Sequence, residues 1–327
     1  MIKKTLYFGN PAYLSFKDEQ FIIERRSRES IEEKINSEIS NSGDNDKISE
    51  DKYLKRKMIK ETIPVEDIGI LILDHHGVSV SQYLLSKLLE NNTAVIFCND
   101  KHHPTGLLLN LDGNSVQSEK FKAQIKASIP LRKNLWQQTV SSKIGNQASL
   151  LKKKGVNIKN MASWMKSVNS GDTKNLEARA SVYYWKNLFS DDLDFYRDRY
   201  GEPPNNLLNY GYAILRAIVA RGLVASGLLP TLGIHHRNKY NAYCLADDIM
   251  EPYRPFVDNL VCGIIEKGND FYNLTTDIKK DLLGLPVTDI FIDGEKSPLM
   301  VGLQRTTSSL AKCFEGKSKK IIYPELI

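Results

Sequence analysis

The feature that most constrains this chain is a change in its hydrophobic period near residue 115. Before that point the apolar residues come in short runs. Thr5-Leu6-Tyr7-Phe8, Tyr13-Leu14-Ser15-Phe16 and residues 20–25 are rich in aromatic and β-branched side chains, and Asn10-Pro11 and Lys17-Asp18-Glu19 separate them as turns, which predicts strands. Ile68–Leu73 and Ala94–Cys98 are unbroken apolar runs, as strands covered on both faces require. Between them Val80, Tyr83, Leu84, Leu88 and Leu89 recur at helical spacing up to Asn91-Asn92. After Ser115 only the helical period remains, through residues 121–127, 131–151, 162–168, 176–188, 207–228, 250–266, 275–283 and 299–314, punctuated by Pro130, Gly155, Gly171, Pro203-Pro204, Pro230 and Gly268. The expected fold is therefore α+β in two domains: a small strand-rich N-terminal domain over 1–112 and a larger all-helical C-terminal domain over 113–327.

Residues 26–61 break the pattern. Charges of both signs crowd them around a polar tract, Ser40-Asn41-Ser42-Gly43-Asp44-Asn45-Asp46, so a solvated insertion is expected there. The remainder can bury a core, because 41% of the 327 residues are hydrophobic and the formal net charge is only +6. No run approaches the roughly 18–20 apolar residues of a membrane span, and the start lacks an apolar h-region, so neither membrane nor signal peptide is expected. Cys98, Cys244, Cys262 and Cys313 lie far apart without CxxC spacing, which argues against a zinc or redox framework and for a reducing, cytoplasmic setting.

Chemistry points to the second half. The six histidines form three adjacent pairs, His75-His76, His102-His103 and His235-His236; the first two read as exposed loop residues. The third follows Gly233-Ile234 and precedes Arg237-Asn238-Lys239 and then Asp247-Asp248-Ile249-Met250-Glu251-Pro252. On a helix Asp248 and Glu251 share a face and could converge on one cation, yet Asp-x-x-Glu before an apolar helix also reads as a capping box with Asp248 as N-cap. Glu177 could be a third carboxylate of such a site or a surface residue paired with Arg179. Arg237, Lys239 and Arg254 flank these positions, Arg216 precedes them and Arg305 lies beyond them, a set that suits DNA phosphates or a solvated helical surface equally.

The motifs Thr5 to Ser15, Ile63-Pro64-Val65-Glu66-Asp67-Ile68-Gly69, Pro104-Thr105-Gly106-Leu107-Leu108, Leu135-Trp136-Gln137-Gln138, Leu232-Gly233-Ile234-His235-His236-Arg237-Asn238-Lys239 and Asp248-Ile249-Met250-Glu251-Pro252-Tyr253-Arg254-Pro255 occur in order along nearly the whole chain. In these the chain resembles the CRISPR spacer-acquisition integrase family, CRISPR-associated protein one, in its type II form. The resemblance implies a helical catalytic domain in which Glu177, His236 and Glu251 bind Mg²⁺ or Mn²⁺, with Asp248 as an accessory acid and His236 favoured over His235 as the ligand. It implies a metal-dependent endonuclease and integrase in which a DNA 3′-hydroxyl attacks a phosphodiester at the edge of a CRISPR repeat. It also implies double-stranded DNA (donor fragments and the repeat), a homodimer, a small ferredoxin-like partner subunit and other type II CRISPR proteins as partners. The 26–61 insertion is the departure from the family pattern. Two other readings are a stand-alone structure-specific DNA nuclease using the same residues, and a DNA-binding scaffold in which the acidic cluster only caps and pairs.

Overall fold

The computed structural model describes residues 3–26, 58–189, 193, 195–268 and 270–326. Contacts divide the chain into two compact units, Lys3–Gly106 and Leu107–Ile327.

In the first unit the strands are β1 (Lys4–Phe8), β2 (Ala12–Lys17), β3 (Gln20–Arg26), β4 (Met58–Pro64), β5 (Ile68–Leu73), β6 (Val78–Val80), β7 (Ala94–Cys98) and β8 (Pro104–Leu108), with helix α1 (Gln82–Glu90) before β7. One sheet runs β1-β5-β7-β8 with β1, β5 and β7 parallel, and the other runs β4-β3-β2-β6. All six residues of β5 are buried, which is why its sequence does not alternate. The Ser81 hydroxyl caps α1 by accepting from the Leu84 N–H, and Leu84 and Leu88 turn inward. The end of the expected insertion is sheet: β4 pairs antiparallel with β3 from Gln20↔Pro64 to Arg26↔Met58. Its charges fit because they meet opposite charges across the pair, Arg25 with Glu61 at 2.5 Å and Lys60 with Glu24 at 3.4 Å. The rest of that insertion, residues 27–57, lies outside the described residues. His75-His76 and His102-His103 sit in the loops after β5 and β7, exposed or half-buried, with His102 Nδ1 3.0 Å from Asp74.

The second unit contains α2 (Gln117–Ile125), α3 (Ile129–Lys153), α4 (Lys159–Ser167), α5 (Leu176–Leu188), α6 (Asn205–Ala225), α7 (Cys244–Met250), α8 (Arg254–Glu266), α9 (Thr276–Leu283) and α10 (Leu299–Phe314). Helix α6 packs against α7, α8, α9 and α10. It has the length and apolarity of a membrane-crossing helix, but most of it is buried inside the unit, so its all-round apolar surface serves a core. At Gly211 an added Cβ would meet Val257 Cγ1 at 2.4 Å; only a residue without one lets α6 and α8 come this close. The expectation of an all-helical domain is corrected here. Strands β9 (Asp289–Ile292), β10 (Glu295–Pro298) and β11 (Pro324–Glu325) form an antiparallel sheet in the order β10-β9-β11. These strands have four, four and two residues, too few for a period-2 pattern to stand out in the sequence.

Candidate active site

Helix α3 supplies the floor of the site. Ser128 caps it by accepting from the Leu131 N–H, Pro130 sits in its first turn, and Lys152 and Lys153 close its last turn. One buried face carries Trp136, Val140 and Lys143. Lysine is almost never buried unless paired, and Lys143, only 7% exposed, touches two carboxylates at once. Its ammonium donates to Glu177 Oε1 and lies 2.6 Å from Glu251 Oε2. Among the described residues that buried oxygen has no partner besides Lys143.

Each carboxylate is delivered by a helix end. Glu177 lies in the first turn of α5, where Asp172 does the capping: its two oxygens accept from the Leu176 N–H at 3.0 Å and the Glu177 N–H at 2.9 Å. Asp172 and Asn175 adopt positive φ to make this turn. The positive end of α5 favours the Glu177 carboxylate. Glu251 opens the short 3₁₀ turn Glu251–Tyr253 between α7 and α8. Asn146, buried on α3, steadies that turn by donating to the Pro252 carbonyl at 2.7 Å and the Pro324 carbonyl at 3.0 Å, and by accepting from the Leu326 N–H at 3.0 Å.

The capping-box reading of Asp248 and Glu251 does not hold, because α7 begins at Cys244 and Asp248 is already inside it. The Asp248 carboxylate, fully buried, instead accepts from the backbone N–H groups of His235 at 2.9 Å and His236 at 3.3 Å, and meets His236 Nδ1 at 2.5 Å. With Nδ1 donating to Asp248, Nε2 is left with its lone pair, the arrangement by which carboxylates orient imidazole ligands. Gly233 permits it: a Cβ there would lie 2.4 Å from the His236 carbonyl oxygen and 2.7 Å from Asp248 Oδ2. The His235 ring stacks on Trp136, with centroids 4.1 Å apart.

Charge is tightly balanced. Burial alone would raise the Glu251 pKa, but Arg254 and Lys143 outweigh it and hold the carboxyl at about 2. Burial works against the Lys143 charge too, yet Glu251 and Glu177 keep its pKa above the ordinary lysine value. The hydrogen bond to Asp248 raises His236, whereas burial lowers His235. Arg254 places Nε 2.9 Å from Glu251 Oε1 and lies over the Tyr212 ring at 4.5 Å. Tyr212 and Tyr184 in turn donate to the two oxygens of buried Asp258, at 2.5 and 2.7 Å.

Burial raises Asp258 to about 6, even though both tyrosine hydrogen bonds pull the other way. The folded state therefore holds this proton more tightly than the unfolded chain. The associated stability is complete below pH about 4 and is lost as the pH rises through 6, by roughly 3 kcal/mol. Glu251 acts in the opposite sense at lower pH, its contribution being lost as the pH falls toward 2. Urea denaturation at a series of pH values should show the Asp258 decline, and Asp258→Asn should flatten it.

The structure thus gathers Glu177 and Glu251 at one ammonium and ties His236 to Asp248, with His236 in electrostatic reach of Glu251. Among the described residues no three His, Cys, Asp or Glu side chains already form a cation cage. In donor type the residues fit a hard divalent ion: carboxylate oxygens, one imidazole nitrogen and a buried Glu251 oxygen whose one partner among the described residues is the Lys143 ammonium. Arg237 and Lys239 line a cavity of ≈ 390 Å³ together with His236 and Arg132. Arg216 pairs with Asp247 at 2.6 Å. Arg254, expected to contact DNA, pairs with Glu251. Arg305 pairs with Glu295 at 2.9 Å and lines a separate groove of ≈ 2130 Å³ with Lys152, Lys166, Lys312 and Lys320. Sequence reasoning missed Lys143 and Asp258; neither has a local signal, because their partners lie far away in the chain.

Residues 6–273 match the family described as CRISPR associated protein Cas1. The chain belongs to the Cas1 family. It is 35% identical to the CRISPR-associated endonuclease Cas1 of Neisseria meningitidis serogroup C (strain 8013) over 269 residues, covering 81% of this chain and 88% of that one. In fold it is similar to a casposase bound to its integration product, with TM-score 0.74, 18% identity and coverage of 98% of this chain and 92% of the other. A chain of a Cas6-RT-Cas1–Cas2 complex gives TM-score 0.68 at 19% identity, covering all of this chain and 36% of that one. The arrangement of α3, α5, α7 and α8 around Lys143 is thus the local geometry of a Cas1 family member.

Proposed function

We propose that this chain is a divalent-metal-dependent DNA integrase and endonuclease that inserts new spacers into a CRISPR array. One observation carries the reading: Glu177 and Glu251, from different helical segments, aim their carboxylates at one cation position, and Asp248, three residues before Glu251, orients the His236 imidazole. Membership of the Cas1 family, the endonuclease name of the Neisseria relative and the integration product held by the casposase support it.

Glu177, Glu251 and His236 Nε2 would hold Mg²⁺ or Mn²⁺. When bound, such an ion supplies Lewis acidity at a phosphate oxygen and lowers the cost of an oxyanion. Asp248 holds the proton on His236 Nδ1, which keeps Nε2 directed outward. Exposed Arg237 and Lys239, with Arg132 on the same cavity, attract and register the phosphate backbone. The reaction is a transesterification. The donor 3′-oxygen forms a new P–O bond as its proton leaves, and the repeat strand's own P–O bond breaks and its oxygen takes up a proton, so no protein nucleophile is needed. With water in place of the 3′-hydroxyl the products are those of a nuclease, the reading that the relative's endonuclease name favours.

The partners that fit are double-stranded DNA, a second copy of the chain and a small ferredoxin-like subunit, the last supported by the Cas1–Cas2 composition of the similar complex. The wide spacing of Cys98, Cys244, Cys262 and Cys313 suits a reducing cytoplasm. The test is half-site strand transfer with Mn²⁺. Glu177→Gln and His236→Ala, both at partly exposed side chains, should lose at least about 10²-fold in rate while melting near the parent. Full activity in both overturns the reading. Ligated donor–target strands indicate integration, and shortened strands alone indicate hydrolysis.

A further inference from the structure

The site contains a cation of its own. Two carboxylates that share a position repel one another unless a positive charge lies between them. Arg254 serves Glu251 through Oε1 and does not touch Glu177. Among the described residues Lys143 is the one cation in contact with both Glu177 and Glu251. It stands on a 25-residue helix anchored along its length, and its side chain is 9% exposed, so this contact is built into the core and is no surface pairing.

We propose that Lys143 is an internal counter-cation of the acidic site: its ammonium occupies the position at which Glu177 and Glu251 would share a divalent ion, and it must withdraw before that ion can bind. The inference rests on the metal-site reading and adds a residue that sets metal affinity. Three observations join in it. Glu177 and Glu251 converge on the one ammonium. The Glu251 oxygen facing Lys143 meets that ammonium at 2.6 Å and takes no second hydrogen bond among the described residues, so exchanging one cation for another there breaks no other contact. Among the described residues no three-ligand cage exists while the lysine is in place. An ammonium and a divalent ion repel, and the buried position screens that repulsion poorly, so the lysine lowers affinity in proportion to how firmly it holds its place. In exchange the lysine steadies the fold around Glu251, since a buried carboxylate left without a partner is strongly destabilising.

The test uses the full chain freed of metal with a chelator. Mn²⁺ is titrated calorimetrically into the parent, Lys143→Met and Glu177→Gln, and each is melted with and without Mn²⁺. Lys143→Met should bind Mn²⁺ about tenfold or more tightly than the parent. It should melt on the order of 5–10 °C lower in chelator and recover most of that difference in Mn²⁺. Affinity equal to or weaker than the parent's overturns the proposal. Glu177→Gln separates the two readings: if the parent's binding heat survives unchanged in it, the metal site itself is wrong, and the counter-cation role falls with it. Should Lys143→Met not fold, acetic anhydride labelling of the parent decides the matter. Mn²⁺ should raise the reactivity of Lys143 several-fold if the ammonium withdraws, and unchanged labelling at saturating Mn²⁺ overturns the proposal.

Discussion

Glu251→Ala is expected to abolish strand transfer and to destabilise the helical unit by roughly 3–5 kcal/mol. The carboxylate is buried between Lys143 and Arg254, and its removal leaves two cations in a poorly solvated place. Burial makes each of them costly without a partner. Glu251→Gln keeps the volume and two polar atoms, so its stability loss should be smaller although its activity loss is as complete. Denaturant titration beside the half-site assay separates the two effects. Parent-like stability in Glu251→Ala would mean that the Lys143–Glu251–Arg254 ion set does not hold this part of the fold together.

Asp248→Asn is expected to lower strand transfer by about 10²–10⁴-fold with a smaller stability loss of roughly 1–3 kcal/mol. The amide has one acceptor where the carboxylate has two, and Asp248 now serves two backbone N–H groups and an imidazole. An amide N–H facing Nδ1 would also favour the other tautomer and place the proton on Nε2. Nitrogen-15 spectra of the imidazole report the tautomer directly. A variant that keeps both the tautomer and the rate would remove Asp248 from the machinery.

Much of this was legible in the sequence where a pattern is local. The buried run Ile68–Leu73 and the long helical periods of α3 and α6 declare themselves in a window of one element, and the structure has them where the pattern lies. Strand β4 hid because its charges resemble those of the solvated stretch before it; only the opposing charges on β3 make them strand residues. The β9–β10 hairpin did carry a local signal, the Asp293-Gly294 turn with both residues at positive φ; only its third strand, β11, comes from more than thirty residues downstream, which no local period encodes. At the site, Glu177, His236, Asp248 and Glu251 stood out through their motifs, but the role of Asp248 depended on where α7 begins, and a capping box looks the same from the sequence. Lys143 is one lysine of many on a long helix, and its burial is set entirely by two glutamates from other elements.

The amide of Asn146 joins three distant stretches: it grips the turn directly behind Glu251 and, on its other side, the strand at 324–326. In the linear sequence the residues that follow α10 show no helical period and stand far from Glu251. In three dimensions residues 324–326 form a strut, so cutting the chain ahead of Ile321 would slacken the carboxylate from behind, and damage far from Glu251 in sequence would be felt at Glu251 itself.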